Sequence, residues 1–355
     1  MDNTELILTR FLKAQDRLVL QASDLSLGTI ASMVDGKAIN VTPDYQRRER
    51  WSPAKQSALV ESFLLNVPVP PVYLAEDEYG RYSVVDGKQR ITAIHAFITD
   101  KLSLMDLEAF QEIEGYKFSQ LPQDLQNALQ IRPYLRVITL LKQSDSTLRY
   151  EVFTRLNQGG ESMKPQELRN VAFRGSLNDL IFELSGNTFL RKQLKIKNDR
   201  SAPYRVMEDA ELVLRFLTLR KSWRSFSKFY RVELDRFMRD NRGLSNTDLK
   251  TLSASFNTAI TMCERIWGDA AFKRPQSDSW RDQLLTGMYD AQMVAVDRLT
   301  QVELKAAVSN SSKIIERTRE LFADSLFDSA VRVGTNSPNR VSYRINEIYR
   351  ILTEI

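Results

Sequence analysis

The spacing of apolar positions changes character halfway along this chain. In the first half, short β-type runs alternate with helical patterns; beyond about Leu177 the strand-like runs stop and helical stripes follow one another. Residues up to about 36 read as a helical lead-in, with Leu6, Leu8, Phe11 and Leu12 followed by Leu18-Val19-Leu20 and a loop. Ala38-Ile39-Asn40-Val41 predicts a short strand stopped by Pro43. Ser52-Pro53 predicts a helix start, a good N-cap followed by proline at the first helical position. Leu59, Phe63 and Leu64 give that helix an apolar face, and Pro68, Pro70 and Pro71 end it. Val72-Tyr73-Leu74 and Arg81–Val85, joined across Gly80, predict a hairpin. A helix is expected from about Ile91 to Ile98 and a short one around Leu121–Leu129. Tyr134–Leu140 is the best strand in the chain, rich in β-branched residues. Thr147–Leu156 is expected to be helical, with Gly159-Gly160 as its left-handed cap, and Pro165 opens a further helix.

In the second half, Val206, Ala210, Val213, Leu214 and Leu217 form one helical stripe. Leu249, Leu252, Phe256, Ile260, Cys263 and Trp267 form a second, and Val341, Ile345, Ile348 and Leu352 a last one. Cys263 sits on its stripe as a core residue. The expected fold is an α/β (α+β) N-terminal domain over residues 1–180, then an all-α domain over 181–355.

Composition then narrows the chemistry. The chain has 355 residues, one His and one Cys. A structural zinc site needs about four Cys or His ligands, so none is available. One cysteine forms no internal disulfide, which fits a reducing, cytoplasmic setting. No run approaches the ~18 apolar residues of a membrane span, and the opening residues show no secretory pattern. His95 follows a glycine turn inside a helical pattern and reads as a packing or hydrogen-bonded histidine before a catalytic one.

Asp86-Gly87-Lys88-Gln89-Arg90 is the stretch richest in chemistry, at the seam between a β-run and a helix. Its glycine permits close backbone approach or positive φ, and a helix N-terminus favours anions. Lys88 and Arg90 add cationic donors, and Asp86 is the candidate for Mg²⁺. Two other segments offer matching groups: Tyr45-Gln46-Arg47 with Arg50 and Trp51, and Arg155, Asn157, Gly159 and Gly160 with Glu167 and Asn170. If the three converge, they supply phosphate donors, an amide for a base or sugar edge, and acids for a metal, which is what phosphoryl chemistry needs. The P-loop pattern is absent.

Net charge is +5 overall, and the excess is local: from Asn187 to Arg242, fifteen Lys or Arg stand against seven acids. A positive segment of this kind is a footprint of a polyanion partner. Within it, Lys221, Arg224, Lys228 and Arg231 recur on one face of an expected helix from Arg220 to Arg231, and Trp223, Phe226, Phe229 and Tyr230 on the other. The cations are candidates for DNA phosphates; the aromatics read as core.

Three separated motifs appear in a characteristic order: Val41-x-Pro43-x-Tyr45-Gln46-Arg47 with Trp51-Ser52, Val84-Val85-Asp86-Gly87-Lys88-Gln89-Arg90-Ile91, and Phe153-x-Arg155-Leu156-Asn157-x-Gly159-Gly160 with Gln166-Glu167-Leu168-Arg169-Asn170. Over roughly residues 20–175 they resemble the ParB/sulfiredoxin-like family of the GmrS type, the GmrSD restriction endonuclease N-terminal domain. The resemblance implies a ParB-like fold, nucleotide binding at the family's DGQQR motif, and NTP-driven, often Mg²⁺-dependent work in bacterial restriction and antiviral defence. Here that motif reads DGKQR, Lys88 standing where glutamine is commoner. Many relatives carry an HNH-type nuclease module, which one histidine does not supply, so a nuclease partner subunit is implied.

On this basis Asp86, Gln89 and Arg90 are expected to be catalytic, with Asp86 at the metal. Arg47, Gly87, Lys88, Arg155, Asn157 and Gly159 are expected to bind nucleotide, and Lys221, Arg224, Lys228 and Arg231 to meet DNA. The leading expectation is an NTP-binding component of a DNA restriction system that hydrolyses nucleotide slowly or uses it as a switch. The alternatives are a non-enzymatic DNA-binding adaptor and, last, a Mg²⁺ nuclease built on Asp86 and Glu167.

Overall fold

Tyr134–Leu140 forms the strand that its β-branched residues predict, and it lies inside a five-stranded mixed sheet. The computed structural model describes residues 3–15, 18–41, 51–144, 151–152, 155–156, 164–225 and 230–354. The chain divides into two compact units, Met1–Ala172 and Phe173–Ile355.

In chain order, the first unit runs α1 (Asn3–Gln15), β1 (Leu20–Ser26), α2 (Leu27–Asp35), β2 (Ile39–Asn40), α3 (Pro53–Leu64), β3 (Val72–Glu78), β4 (Arg81–Asp86), α4 (Lys88–Ile98), α5 (Gln123–Ile131), β5 (Tyr134–Leu140) and α6 (Pro165–Ala172). The strand order is β1-β5-β3-β4-β2. β1 runs antiparallel to β5, β5 parallel to β3, β3 antiparallel to β4, and β4 parallel to β2. Val72, Leu74, Val84, Leu135 and Val137 turn to one face and pack with Leu27 and Ile30 of α2, Leu59 and Phe63 of α3, and Ile91 and Ile94 of α4. The Ser52 hydroxyl accepts from the Lys55 amide at 3.3 Å, so α3 starts where the Ser-Pro pair placed it. The expected helix over Thr147–Leu156 and its glycine cap lie largely outside the described residues.

Leu20–Ser26 differs from the expected lead-in and loop: it is a strand, paired from Leu20↔Leu140 to Ser26↔Tyr134. It lies at the sheet edge with its first three residues exposed, so it shows no apolar alternation. Its strand character comes from the ladder to β5, which a local pattern does not carry.

Glu61 of α3 gathers the segment after α4. Its carboxylate accepts from the amides of Ala109 at 2.6 Å and Phe110 at 3.1 Å. Burial alone would raise its pKa; the backbone donors outweigh burial and hold the carboxyl below its ordinary value.

The second unit is helical: α7 (Ser176–Ser185), α8 (Thr188–Gln193), α9 (Ala202–Arg205), α10 (Glu208–Ser222), α11 (Tyr230–Asp240), α12 (Asn246–Trp267), α13 (Thr286–Asp297), α14 (Gln301–Ser309), α15 (Ser311–Leu321), α16 (Ser325–Arg332) and α17 (Pro338–Thr353). One departure is a small hairpin, β6 (Pro275–Gln276) with β7 (Ser279–Trp280). The stripes Leu252-Phe256-Ile260-Cys263-Trp267 and Val341-Ile345-Ile348-Leu352 are buried as expected, whereas Val206 is exposed. Burial pushes the Cys263 thiol well above its ordinary pKa, so it stays protonated.

α13 is apolar almost all round and is buried from Gly287 to Val296. Inside it sits a charge. Asp290 accepts from Arg215 Nε at 3.1 Å and from Arg344 Nη2 at 2.6 Å, with side-chain exposures of 0 %, 5 % and 0 %. Arg344 also donates to the carbonyls of Ala330 and Thr335 at 3.1 and 2.6 Å.

Two outcomes follow from these contacts. Asp290→Ala leaves two buried guanidiniums without their shared carboxylate and is expected to cost about 3–5 kcal/mol, read from urea unfolding followed by helical circular dichroism. For Glu61 the folded-state pKa is the lower one, so the carboxylate stabilises the fold above about pH 5 and that contribution fades as pH falls through the folded value. Thermal melts taken from neutral to acid pH are expected to show a shallower acid decline for Glu61→Gln than for the parent.

Candidate functional site

β4 ends at Asp86 and α4 begins at Lys88, three residues ahead of the apolar periodicity at Ile91. Gly87 makes the turn, with φ 90° and ψ 15°, and caps α4 without a side-chain hydrogen bond. A Cβ built at position 87 would sit 2.3 Å from Val72 Cγ1 of β3. Glycine is therefore required twice, by backbone conformation and by the strand beside it.

Arg90, one turn into α4, was expected to face phosphate. Its guanidinium turns back into the protein instead. Nη1 donates to the carbonyls of Pro70 and Pro71 at 2.5 and 3.1 Å, and Nη2 to Asp86 Oδ2 at 2.8 Å. Its side chain is 13 % exposed, that of Asp86 43 %. The arginine thus ties the entry of β3 to the β4–α4 turn, and Asp86 keeps one side toward solvent. Lys88, the first helical residue, is half-buried.

Gln89 joins a second motif to the first. Its Oε1 accepts from the Trp51 amide at 3.1 Å, and Gln56 Nε2 donates to the Trp51 carbonyl at 2.9 Å. The Trp51 ring packs on the sheet core and Lys55 lies over it, 5.0 Å from the centroid. The C-terminal end of the Tyr45–Trp51 segment is therefore held at the DGKQR turn. Arg47 itself lies outside the described residues.

The third motif is partly in view. Arg155 is exposed, and Asn157, Gly159 and Gly160 lie outside the described residues. On α6, Gln166, Glu167, Arg169 and Asn170 are all buried. Glu167 accepts from the Lys164 amide at 2.6 Å, Gln166 donates to Asn170 at 3.2 Å, and Arg169 donates to Gln166 at 3.3 Å. Glu167 thus caps its own helix with its side chain closed to solvent. His95 pairs through Nε2 with Asp35 Oδ1 at 2.7 Å, the hydrogen-bonded packing role expected of it.

Among the described residues no group of three or more His, Cys, Asp or Glu side chains could hold a metal. Mg²⁺ often takes only one or two carboxylates and completes its shell with phosphates and water. Asp86 fits that pattern as a single carboxylate.

The basic segment differs from its expected form. Arg220–Arg231 is not one helix: α10 ends at Ser222, and α11 starts at Tyr230. The reason is a tertiary contact. The Arg215 guanidinium lies 4.2 Å from the Tyr230 ring centroid, whereas a continuous helix would hold those backbones about 22 Å apart. Residues 223–225, directly after α10, form a turn. Lys221, Arg224 and Arg231 are exposed; Lys228 lies outside the described residues. Several cations of the segment meet acids drawn from beyond it: Lys192 with Asp269, Lys195 with Asp282, Arg215 with Asp290 and Arg220 with Asp297. The local excess counted along the chain is accordingly reduced in space. The sequence reading missed the Trp51 amide and the Pro70-Pro71 carbonyls as partners of the motif; the doubled proline before β3 was the one signal for the latter.

The turn gives a test of its own. Gly87→Ala is expected to lose about 2–4 kcal/mol, from left-handed strain plus the clash with Val72. Arg90→Lys keeps the charge but not the planar fork and is expected to lose about 1–3 kcal/mol. Denaturant titration of both variants measures this.

No helix among the described residues is long and apolar enough to cross a membrane. Comparison with curated proteins and with solved structures gives no match. Residues 30–174 match the family model described as GmrSD restriction endonuclease, N-terminal domain. The matched span contains all three motifs and all of β2 to α6. The match suggests a component of a restriction or defence system. Residues 30–174 of this chain carry a GmrSD-type N-terminal domain.

Proposed function

We propose that this chain is the nucleotide-responsive component of a DNA restriction or anti-phage system, and that it grips the phosphates of a nucleoside triphosphate at the head of α4. The observation that carries this reading is the Gly87 turn. A left-handed glycine with no side-chain cap heads a helix of eleven residues, inside the segment that matches a restriction endonuclease domain. A capping side chain would place its own oxygen where an anion is to bind; Gly87, as the N-cap residue, brings none.

The roles follow from the contacts. Lys88, at the first helical position, supplies the cation for a phosphate oxygen. Asp86 keeps part of its carboxylate in solvent and would hold the Mg²⁺ that accompanies a triphosphate. Arg90 is a positioning residue: it holds Asp86 and fixes the turn through Pro70 and Pro71. Gln89 holds the segment that carries Arg47, whose guanidinium would close on the phosphates from the facing side. Arg155, Asn157 and Gly159 would complete the pocket. The bound nucleotide acts as a switch or is hydrolysed slowly, and DNA cleavage falls to a nuclease partner. Burial of Glu167 weighs against a self-contained nuclease built on that residue.

Isothermal titration with ATP, GTP and CTP, each with and without Mg²⁺, tests the reading. At least one is expected to bind at sub-millimolar concentration. Lys88→Gln is expected to weaken that binding about tenfold, the loss of one charge-assisted contact. Absence of binding by all three would overturn it.

A further inference from the structure

Two arginines of the helical unit differ from the rest. Arg224, just beyond α10, lies with its guanidinium carbon 4.5 Å from the Trp223 ring centroid. Arg298, which caps the C-terminus of α13, lies 4.6 Å from the same ring and 3.8 Å from that of Tyr349 on α17. Three distant segments thus build one ladder of cations and rings. Its centre is fixed: Trp223 is 6 % exposed, and its carbonyl accepts from the Ser342 hydroxyl at 2.9 Å. Arg298 also donates to Asn346 Oδ1 at 3.3 Å.

Among the described residues neither guanidinium pairs with a carboxylate. The carboxylates nearest in sequence are engaged elsewhere: Asp297 accepts from Arg220 at 3.0 Å and Glu347 from Arg350 at 2.6 Å. Burial lowers the pKa of Arg298, and the neighbouring charge of Arg224 lowers it further, against the opposing influence of Tyr349. A guanidinium stacked on a ring keeps its N–H edge free of that ring and pre-set for a tetrahedral oxyanion. Two like charges held together without a counter-charge are a standing cost that such an anion removes.

We propose that Arg224 and Arg298, set on Trp223 and Tyr349, form a phosphate-binding site whose ligand is a backbone phosphate of DNA. This goes beyond the function proposed above, takes up the expectation that the basic segment meets DNA, and does not depend on nucleotide binding at Gly87. Arg298, Trp223 and Tyr349 join Arg224 in a role that the periodicity of the basic segment did not indicate.

Fluorescence anisotropy of the full chain with a labelled short DNA duplex, across a KCl series, tests the site. Arg224→Gln and Arg298→Gln are each expected to weaken binding about tenfold and to lower the slope of log affinity against log salt by about one. Arg319→Gln is the control, an arginine likewise set on a ring (Trp280, 5.3 Å) but bonded to the carbonyls of Ser277 and Asp278; it is expected to change neither. Arg224 is exposed, so Arg224→Glu carries the test even if changes at half-buried Arg298 disturb folding. Sodium pyrophosphate in a thermal-shift assay separates the sources. Arginine-dependent protection by pyrophosphate, with no DNA binding by the parent, leaves a phosphate site for a small ligand and removes the DNA reading. Parent-like affinity and salt slope in both Arg224 variants, together with no arginine-dependent protection by pyrophosphate, overturn the site while leaving DNA binding elsewhere intact.

Discussion

The contact between Gly87 and Val72 sets the geometry on which the candidate site depends. β3 passes so close to the β4–α4 turn that no side chain fits at position 87. The turn is forced into the left-handed region, and α4 starts at once. Only from that start do residues 89 and 90 fall where they are found. Gln89 meets the Trp51 amide, and Arg90 reaches back over Asp86 to the two proline carbonyls. A bulkier residue in the turn would move the head of the helix, and with it every polar group of the motif. The site is thus shaped by core packing first and by its charged residues second.

Much of this was legible in the chain. The Ser52-Pro53 start, the β3–β4 hairpin, β5 and the late helical stripes all announce themselves locally, through caps, β-branched residues or period. What was not legible depends on contacts distant in sequence. β1 is a strand because β5 offers it a ladder, although its own residues are largely exposed. The end of α10 at Ser222 goes with the contact of Arg215 and Tyr230, which one continuous helix would not allow; nothing in the run Trp223-Arg224-Ser225 reads as a breaker. Within the motif, residue types pointed to phosphate chemistry without telling which side chains face outward. Arg90 reads in sequence as a phosphate donor, yet it is held by three protein acceptors.

Charge gives the same lesson on a larger scale. Counting Lys and Arg along a window treats every cation as available. In the folded helical unit many are answered by acids from other segments, on the surface as with Lys192 and Asp269, or buried as with Arg215, Arg344 and Asp290. What marks a surface for a polyanion is therefore not the number of cations but which of them the fold leaves without an acid. Among the described residues, Arg224 and Arg298 are two such cations, and they share the Trp223 ring.

The order of strands also governs how the first unit can be made. β3 lies between β4, its immediate successor, and β5, which the ribosome delivers some sixty residues later. Until Leu140 has emerged, the nascent hairpin presents a bare hydrogen-bonding edge of β3, and β1 waits with nothing to pair against. A fragment cut after α4 would therefore keep the whole DGKQR motif and still lack half of the sheet's closure. Such a truncation would be prone to edge-to-edge aggregation, so the smallest piece that retains a sealed sheet must extend through β5.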